Sequence, residues 1–299
     1  MRNSTEQDYH ARLLRVLIYI QHHLDEAVSL EDLARIAHFS PFHFHRVFRG
    51  MVGESVMEHV RRLRLERAAH LLACSPRSVT AIAFDAGYET LDAFTRAFRG
   101  MFGTTPSTYR SQHRAQPFPG PVEQVHYHPQ GDLREFTPLT TGAAMDVTLR
   151  TYPKMKVAFV RNIGPYAQCE ASWNKLCAWA GPRGLLNANS KFIGLSYDDP
   201  DVTPPDKLRY DACIVLDRDV APEGEIGVQD IGGGAYAVIV HVGPYEKLNE
   251  TYGYLFGQWL PRSGYAAKSE PPFEIYLSDH TKTPPAELRT EICLPVEKA

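Results

Sequence analysis

Residues able to read a duplex occur twice in this chain, fifty positions apart. Phe44, Arg46, Phe48, Arg49, Gly50, Met51 and Gly53 recur as Phe94, Arg96, Phe98, Arg99, Gly100, Met101 and Gly103. Arginine carries a planar fork of N–H donors that fits the guanine edge in the major groove. The apolar members Phe44, Val47, Phe48 and Met51, like Phe94, Ala97, Phe98 and Met101, repeat at three- and four-residue spacing and belong to a buried helix face. The other face keeps Phe42, His43, His45, Arg46 and Arg49 in the first copy, and Leu91, Asp92, Thr95, Arg96 and Arg99, with Thr90 just ahead, in the second. These are the groove-facing candidates.

The elements that must hold them follow from the same repeat. Upstream of each turn the offset falls by one, pairing Leu33, Ala34 and Ala37 with Ile82, Ala83 and Ala86. The unit is a duplicated helix-turn-helix whose second turn is one residue longer. Ala34 and Ala83 are small where one helix crosses the other. The turns fall at His38, Phe39 and Ser40, and at Gly87, Tyr88, Glu89 and Thr90; Gly87 takes a left-handed conformation without steric cost, His38 less readily. Ser40 reads as an N-cap with Pro41 as the first helical residue. Residues 54 to 74 form a helical pattern without Gly or Pro, a spacer that would set both heads in successive major grooves, roughly 34 Å apart. Thr105 caps a short last helix beginning at Pro106, and Arg99, Arg110, Ser107 and Thr105 suit phosphate contact.

The segment from about 10 to 113 resembles the DNA-binding domain of the AraC family of transcription regulators. Its second half carries Ile82, Ala83, Gly87, Tyr88, Phe94, Arg96, Phe98, Gly103, Pro106, Tyr109 and Arg110 in that order. The resemblance implies base contacts from Phe42, His45 and Arg46 in the first head, and from Leu91, Asp92, Thr95 and Arg96 in the second. His38 departs from the family, which usually has Gly there.

Charge divides the chain along the same line. Residues 1 to 114 hold 15 Arg, no Lys and 12 acids, a net of +3, whereas residues 115 to 299 carry a net of -6. Such a weak basic excess leaves affinity to local arginine clusters and makes it fall with salt. The 299 residues suffice for two cores. No run of eighteen apolar residues and no apolar N-terminal stretch occurs, so neither a membrane span nor a secretory signal is expected, and the chain reads as cytoplasmic and nucleoid-associated. Five cysteines without a CxxC pair suit reduced thiols. The pairs His43/His45 and His126/His128 lack further ligands, so no metal and no cofactor are expected.

The expected organisation is an all-α N-terminal domain over 1–114, with two helix-turn-helix motifs joined by a long helix. A Pro-, Gly- and His-containing linker follows over 115–145, with a short docked segment around 122–127, and then an α+β domain over 146–299. That domain repeats at about eighty residues: Ile163, Gly164, Pro165 and Tyr166 match Val242, Gly243, Pro244 and Tyr245. Trp179 pairs with Trp259, Phe192 with Phe273, and Leu208, Arg209 and Cys213 with Leu288, Arg289 and Cys293. Each repeat reads strand, turn, helix, then two strands, giving two β-α-β-β units around a groove. Alternation puts Phe273 and Ile275 on one face, expected to meet the helix, and Glu274 and Tyr276 on the other, expected to face the groove. On the Phe192/Phe273 alignment, Glu274 has Ile193 as its counterpart.

Residues from about 147 to 299 resemble the gyrase-inhibitor-like effector-binding domain, on the two Gly-Pro-Tyr turns, Tyr197-Asp198-Asp199-Pro200, Leu208-Arg209-Tyr210-Asp211 and Phe273-Glu274-Ile275-Tyr276. The resemblance implies an aromatic-walled pocket with an acid, suited to hydrophobic cations. Glu274 is the candidate acid, and Tyr276, Tyr210, Tyr197, Trp179 and Trp173 are the candidate walls, although Trp173 and Trp179 also sit at core spacing. The expectation is a non-enzymatic regulator whose partners are double-stranded DNA, a small hydrophobic or cationic effector and RNA polymerase. The alternatives are a small-molecule hydrolase using Glu274 with Tyr276 or Tyr210, and a protein-binding module.

Overall fold

Serine and threonine start the helices of the first half. In the computed structural model, which describes residues 4–112, 118–119, 124–140, 144–187, 189–200 and 202–299, α1 (Ser4–His22) is followed by six helices. These are α2 (Leu30–Ala37), α3 (Pro41–Val52), α4 (Val56–Cys74), α5 (Val79–Asp85), α6 (Leu91–Phe102) and α7 (Pro106–Ser111). Ser29, Ser40, Ser55, Ser78, Thr90 and Thr105 each accept from the backbone N–H three residues on, satisfying a donor that has no partner inside its helix. At the head of α4, Glu58 reaches back to the Ser55 N–H and completes a capping box.

Two stretches of core lie along α4. The first gathers Leu33, Ala34, Phe44, Phe48, Met51 and Val60 among the fully buried side chains; the second gathers Leu65, Ala69, Ile82, Ala83, Phe94 and Phe98. The repeat therefore builds each core from equivalent residues, with the long helix contributing to both.

Glu6–Thr140 form one compact unit and Thr141–Ala299 lie in the other. Of the stretch expected as a linker, residues 115–117, 120–123 and 141–143 lie outside the described residues. Of the remainder, Val125, Leu133 and Phe136 are buried, and residues up to 140 belong to the first unit.

The second unit contains β1 (Val147–Ile163), α8 (Glu170–Ala180), β2 (Phe192–Ser196), β3 (Arg209–Val215) and β4 (Gly227–Val242). It continues through α9 (Leu248–Tyr254), a π turn (Leu255–Trp259), α10 (Leu260–Ser263), β5 (Tyr265–Ala267), β6 (Phe273–Tyr276) and β7 (Arg289–Lys298). Six antiparallel strands run in the order β4-β1-β3-β2-β6-β7, and β4 also pairs with β7, which closes the ring. Alternate residues such as Val157, Ile193, Cys213, Val238, Phe273 and Cys293 meet in one cluster inside it.

Closure corrects the expected placement of the helices. The Phe273 and Ile275 face fills the interior of the ring, so α8 packs instead on the outer face, where Leu176 and Ala180 meet Ala158, Val160, Ala212 and Ile214. Glu274 shares that outer face, because it pairs with Gly194 and Gly194 pairs with Ala212. Glu274 therefore lies on the same side of the sheet as α8 rather than across the sheet from it.

Register also corrects the repeat alignment. Gly194 stands opposite Ala212 as Glu274 stands opposite Ile292, so the counterpart of Glu274 is Gly194 and not Ile193. Gly194 and Glu274 also face each other across β2 and β6, which puts the pseudo-two-fold axis between them. The offset is 79 at the Gly-Pro-Tyr turns, where Gly164 and Gly243 donate to the carbonyls of Leu208 and Leu288, and 80 at those leucines. The π turn lies in the interval where the extra residue enters, and such a turn accommodates one more residue than an α turn.

Candidate functional site

Helices α3 and α6 are launched by the same chain reversal. Phe39 N–H donates to Ala34 O at 3.0 Å, and Tyr88 N–H donates to Ala83 O at 3.1 Å. This six-to-one closure needs a left-handed residue one position earlier. His38 adopts it at φ 54°, ψ 43°, and Gly87 at φ 82°. His38 thus fills the glycine position with the same turn, its carbonyl held by Arg12 at 3.1 Å.

On α3 the Arg46 guanidinium carbon lies 4.4 Å from the centre of the Phe42 ring, a stack that fixes the plane of the fork. Phe42, Arg46 and Arg49 are half-buried, whereas His43 and His45 are buried. Burial, then the Arg46 charge, push the His43 imidazole down to about 4. On α6, Thr90, Leu91, Asp92, Arg96 and Arg99 are exposed and Thr95 is half-buried. Arg110 is turned inward, donating to the carbonyls of Leu72 and Arg77 near the end of α4.

The cluster around Glu274 in the second unit is built outward from its axis. Glu274 is 5 % exposed and accepts from Tyr276 at 2.8 Å and from Tyr252 at 3.1 Å. Tyr276 gives its proton to Glu274, so Tyr210, 2.9 Å from the Tyr276 oxygen, is the donor of that pair. Trp173 stands edge-on to Tyr276 at 5.8 Å and to Tyr210 at 6.4 Å; Tyr245 meets Tyr276 at 5.5 Å and Tyr166 meets Tyr210 at 6.0 Å. Burial, reinforced by the Glu274 charge, holds the Tyr210 and Tyr276 hydroxyls well above the usual tyrosine range.

Gly194 makes this packing possible. A Cβ there would fall 2.6 Å from the Tyr210 oxygen and closer still to that of Tyr276. The hydroxyl pair occupies the volume that a side chain at Gly194 would need.

The structure brings Glu274, Tyr276, Tyr210 and Trp173 together, but not Tyr197 or Trp179. Tyr197 donates to the fully buried Asp211 at 2.8 Å, beside Arg161, which pairs with the same carboxylate at 2.7 Å. Burial, then the Asp211 charge, push the Tyr197 hydroxyl up to about 12. Trp179 donates to Glu223 at 3.0 Å and stacks under Arg183 at 5.0 Å. Tyr252, Tyr245, Tyr166 and Gly194 went unselected by sequence reasoning. The 79-residue offset of the Gly-Pro-Tyr turns could have found Tyr252, since it sets Tyr252 opposite Trp173.

Comparison with known proteins accounts for both halves. Residues 145–297 match the GyrI-like small molecule binding domain, and residues 33–112 match a helix-turn-helix domain. The chain belongs to the GyrI-like family. It joins that domain to a helix-turn-helix domain of AraC type.

Relatives of this GyrI-like protein are transcriptional regulators. The HTH-type transcriptional regulator YbfP of Bacillus subtilis is 37% identical over 103 residues, 34% of this chain and 35% of YbfP. The transcriptional regulator Rob of Salmonella typhimurium is 34% identical over 95 residues, 32% of this chain and 33% of Rob. The match thus spans about a third of the length of these curated relatives. The solved EcmrR–DNA complex is 27% identical with a TM-score of 0.43, over 52% of this chain and 58% of that one. No helix among the described residues is long and apolar enough to cross a membrane.

Proposed function

We propose that this GyrI-like regulator couples a small hydrophobic cation, held over Glu274, to sequence-specific DNA binding by α3 and α6. The observation that carries the reading is the Glu274 carboxylate, 5 % exposed and bonded by Tyr252 and Tyr276, with Trp173 and Tyr245 packed edge-on to the Tyr276 ring. A desolvated anion walled by aromatic faces favours a ligand that is both apolar and cationic, because each wall adds cation–π attraction while a neutral ligand leaves the charge uncompensated. The Tyr252 and Tyr276 hydroxyls donate to that carboxylate.

On this reading Arg46 and Arg96 read base edges, with Arg99 on phosphate, and Phe42 orients Arg46. RNA polymerase is the partner through which a DNA-bound regulator would act. Calorimetric titration of the full chain with an aromatic quaternary ammonium ion, and with its uncharged carbon isostere, tests the ligand class. Saturable binding of the cation alone supports the reading; equal binding of both removes the role of Glu274.

A further inference from the structure

The chain that leaves the second helix-turn-helix does not run free to the effector domain. Between 124 and 139 it crosses back over the first unit, and three separate fastenings hold it. The first is the Glu66 carboxylate, fully buried on α4, which accepts from His126 Nδ1 at 2.9 Å, from the Tyr127 N–H at 2.7 Å and from Arg62 at 2.7 Å. Arg62 also donates to Val125 O at 2.8 Å while bonded to Glu54 at 2.6 Å. Arg62 is on α4 itself, so the segment supplies two of these three donors, and losing them from a buried carboxylate is unfavourable.

The second fastening is on α1. The Gln21 side chain donates to His126 O at 2.8 Å and accepts from the His128 N–H at 3.2 Å, while His10 stacks on Phe136 at 4.5 Å and donates to its carbonyl at 2.8 Å. The third is on the reading helix itself. Leu139 N–H donates to Met51 O at 2.7 Å, and the Leu139 side chain lies over Gly53, the residue that ends α3. Met51 offers one of the last carbonyls of α3, which no residue inside that helix can satisfy.

We infer that segment 124–139 is a positioning element of the first reading head, with Leu139 setting the C-terminal end of α3. Among the described residues, Phe118 packs against the core of the second head, but no backbone hydrogen bond ties the segment to the end of α6 as Leu139 is tied to α3. The two heads then differ mechanically: α6 is fixed by its own domain, whereas α3 is fixed partly by the last residues before the effector domain begins. This rests on the proposal that α3 enters DNA, and it adds how that helix is held there.

The test uses the full chain and duplexes obtained by binding selection from randomised sequence. The base pairs at which Arg46→Ala and Arg96→Ala lose discrimination mark the first and second heads. Leu139→Pro removes the N–H that Met51 accepts, whereas Leu139→Ala keeps it. Leu139→Pro should lower discrimination at the first-head pair about fivefold, the scale of one lost hydrogen bond, and leave the second-head pair unchanged. Leu139→Ala should stay close to wild type.

Gln21→Leu, which releases the segment at a distance from α3, should reproduce the one-sided loss and guards against a Leu139→Pro chain that fails to fold. An equal loss at both heads would mean that the segment only stabilises the domain, and no loss at either would mean that it does not position α3; both overturn the inference. Should Arg46→Ala change nothing, the assignment of α3 as a reader fails first and takes the inference with it.

Discussion

Gly194 and Glu274 are each other's repeat counterparts, and they face one another across β2 and β6 on the pseudo-two-fold axis. One repeat has deleted its side chain there and the other has placed a carboxylate. The space above Gly194 holds the Tyr210 and Tyr276 oxygens, 2.9 Å apart, and the Tyr276 proton points to Glu274. The duplication thus supplies paired aromatics, Tyr166 with Tyr245 and Trp173 with Tyr252, while a Gly-to-acid difference on the axis gives the cluster a charge.

Gly194→Ala should therefore be costly although alanine is a better strand residue. The new methyl overlaps two hydroxyls, and overpacking of this kind costs about 1–3 kcal/mol. Chemical denaturation of the full chain, followed by the tryptophans of the second unit, should show the loss there. An unchanged transition would mean that the tyrosines relax freely and that the axis is loosely built.

Tyr276→Phe removes a donor from a buried carboxylate, and hydrogen bonds to charged groups are worth about 1.5–3 kcal/mol. The same hydroxyl, with that of Tyr210, should stay protonated when other tyrosines ionise. Ultraviolet difference titration should leave both tyrosines protonated near pH 10 in wild type; in Glu274→Gln their titration should move down but stay above the usual range, because burial, the larger cause, remains, and ionisation of either near pH 10 in wild type would contradict this packing.

Sequence spacing carried most of this architecture, but unevenly. The two helix-turn-helix units were legible because identical residues recur and because Ser40, Thr90 and Thr105 mark helix starts by chemistry that acts within three residues. Closure of the sheet was not legible, since the β4–β7 pairing joins distant segments and leaves no local mark. That hidden closure turned the expected helix face inside out. The match of Phe192 to Phe273 was one residue off, because two phenylalanines on a strand look alike until ladder register separates them. Tyr197 follows the parity of Ile193 and Leu195 toward the ring interior, and Trp179 lies six residues, about 9 Å, along α8 from Trp173. Aromatic type alone predicted neither position.

At the DNA, Arg46→Ala and Arg96→Ala should each cost about 1–3 kcal/mol of discrimination at one base pair. Arg99→Ala should instead weaken all sequences alike and reduce the salt slope by about 0.9, the signature of one phosphate contact. Fluorescence anisotropy across a salt series separates these outcomes. A base-specific loss in Arg99→Ala would reverse the assigned roles.

His59, buried on α4 and bonded to Glu54 at 2.8 Å, gives the first unit a defined acid sensitivity. Burial depresses its pKa below 6.5, against the opposing pull of Glu54. The unfolded chain therefore binds a proton below pH 6.5 that the folded chain resists. The His59 contribution is fully present above that pH and declines as pH falls toward the folded value, by at most about 1.4 kcal/mol per pH unit. His59→Gln should remove this part of the slope, read as the wild-type minus variant difference in denaturant midpoints between pH 7 and 5. Parallel curves would contradict it.

The central claim is that Glu274 makes the groove selective for hydrophobic cations. The most direct measurement is thermal unfolding of the full chain, wild type and Glu274→Gln, with an aromatic quaternary ammonium ion and its uncharged isostere. At a hundred times its dissociation constant a ligand adds roughly 2.7 kcal/mol to the folded state. The account predicts that stabilisation for wild type with the cation, and little of it for Glu274→Gln or for the neutral compound. Equal stabilisation of wild type and Glu274→Gln by the cation would contradict it.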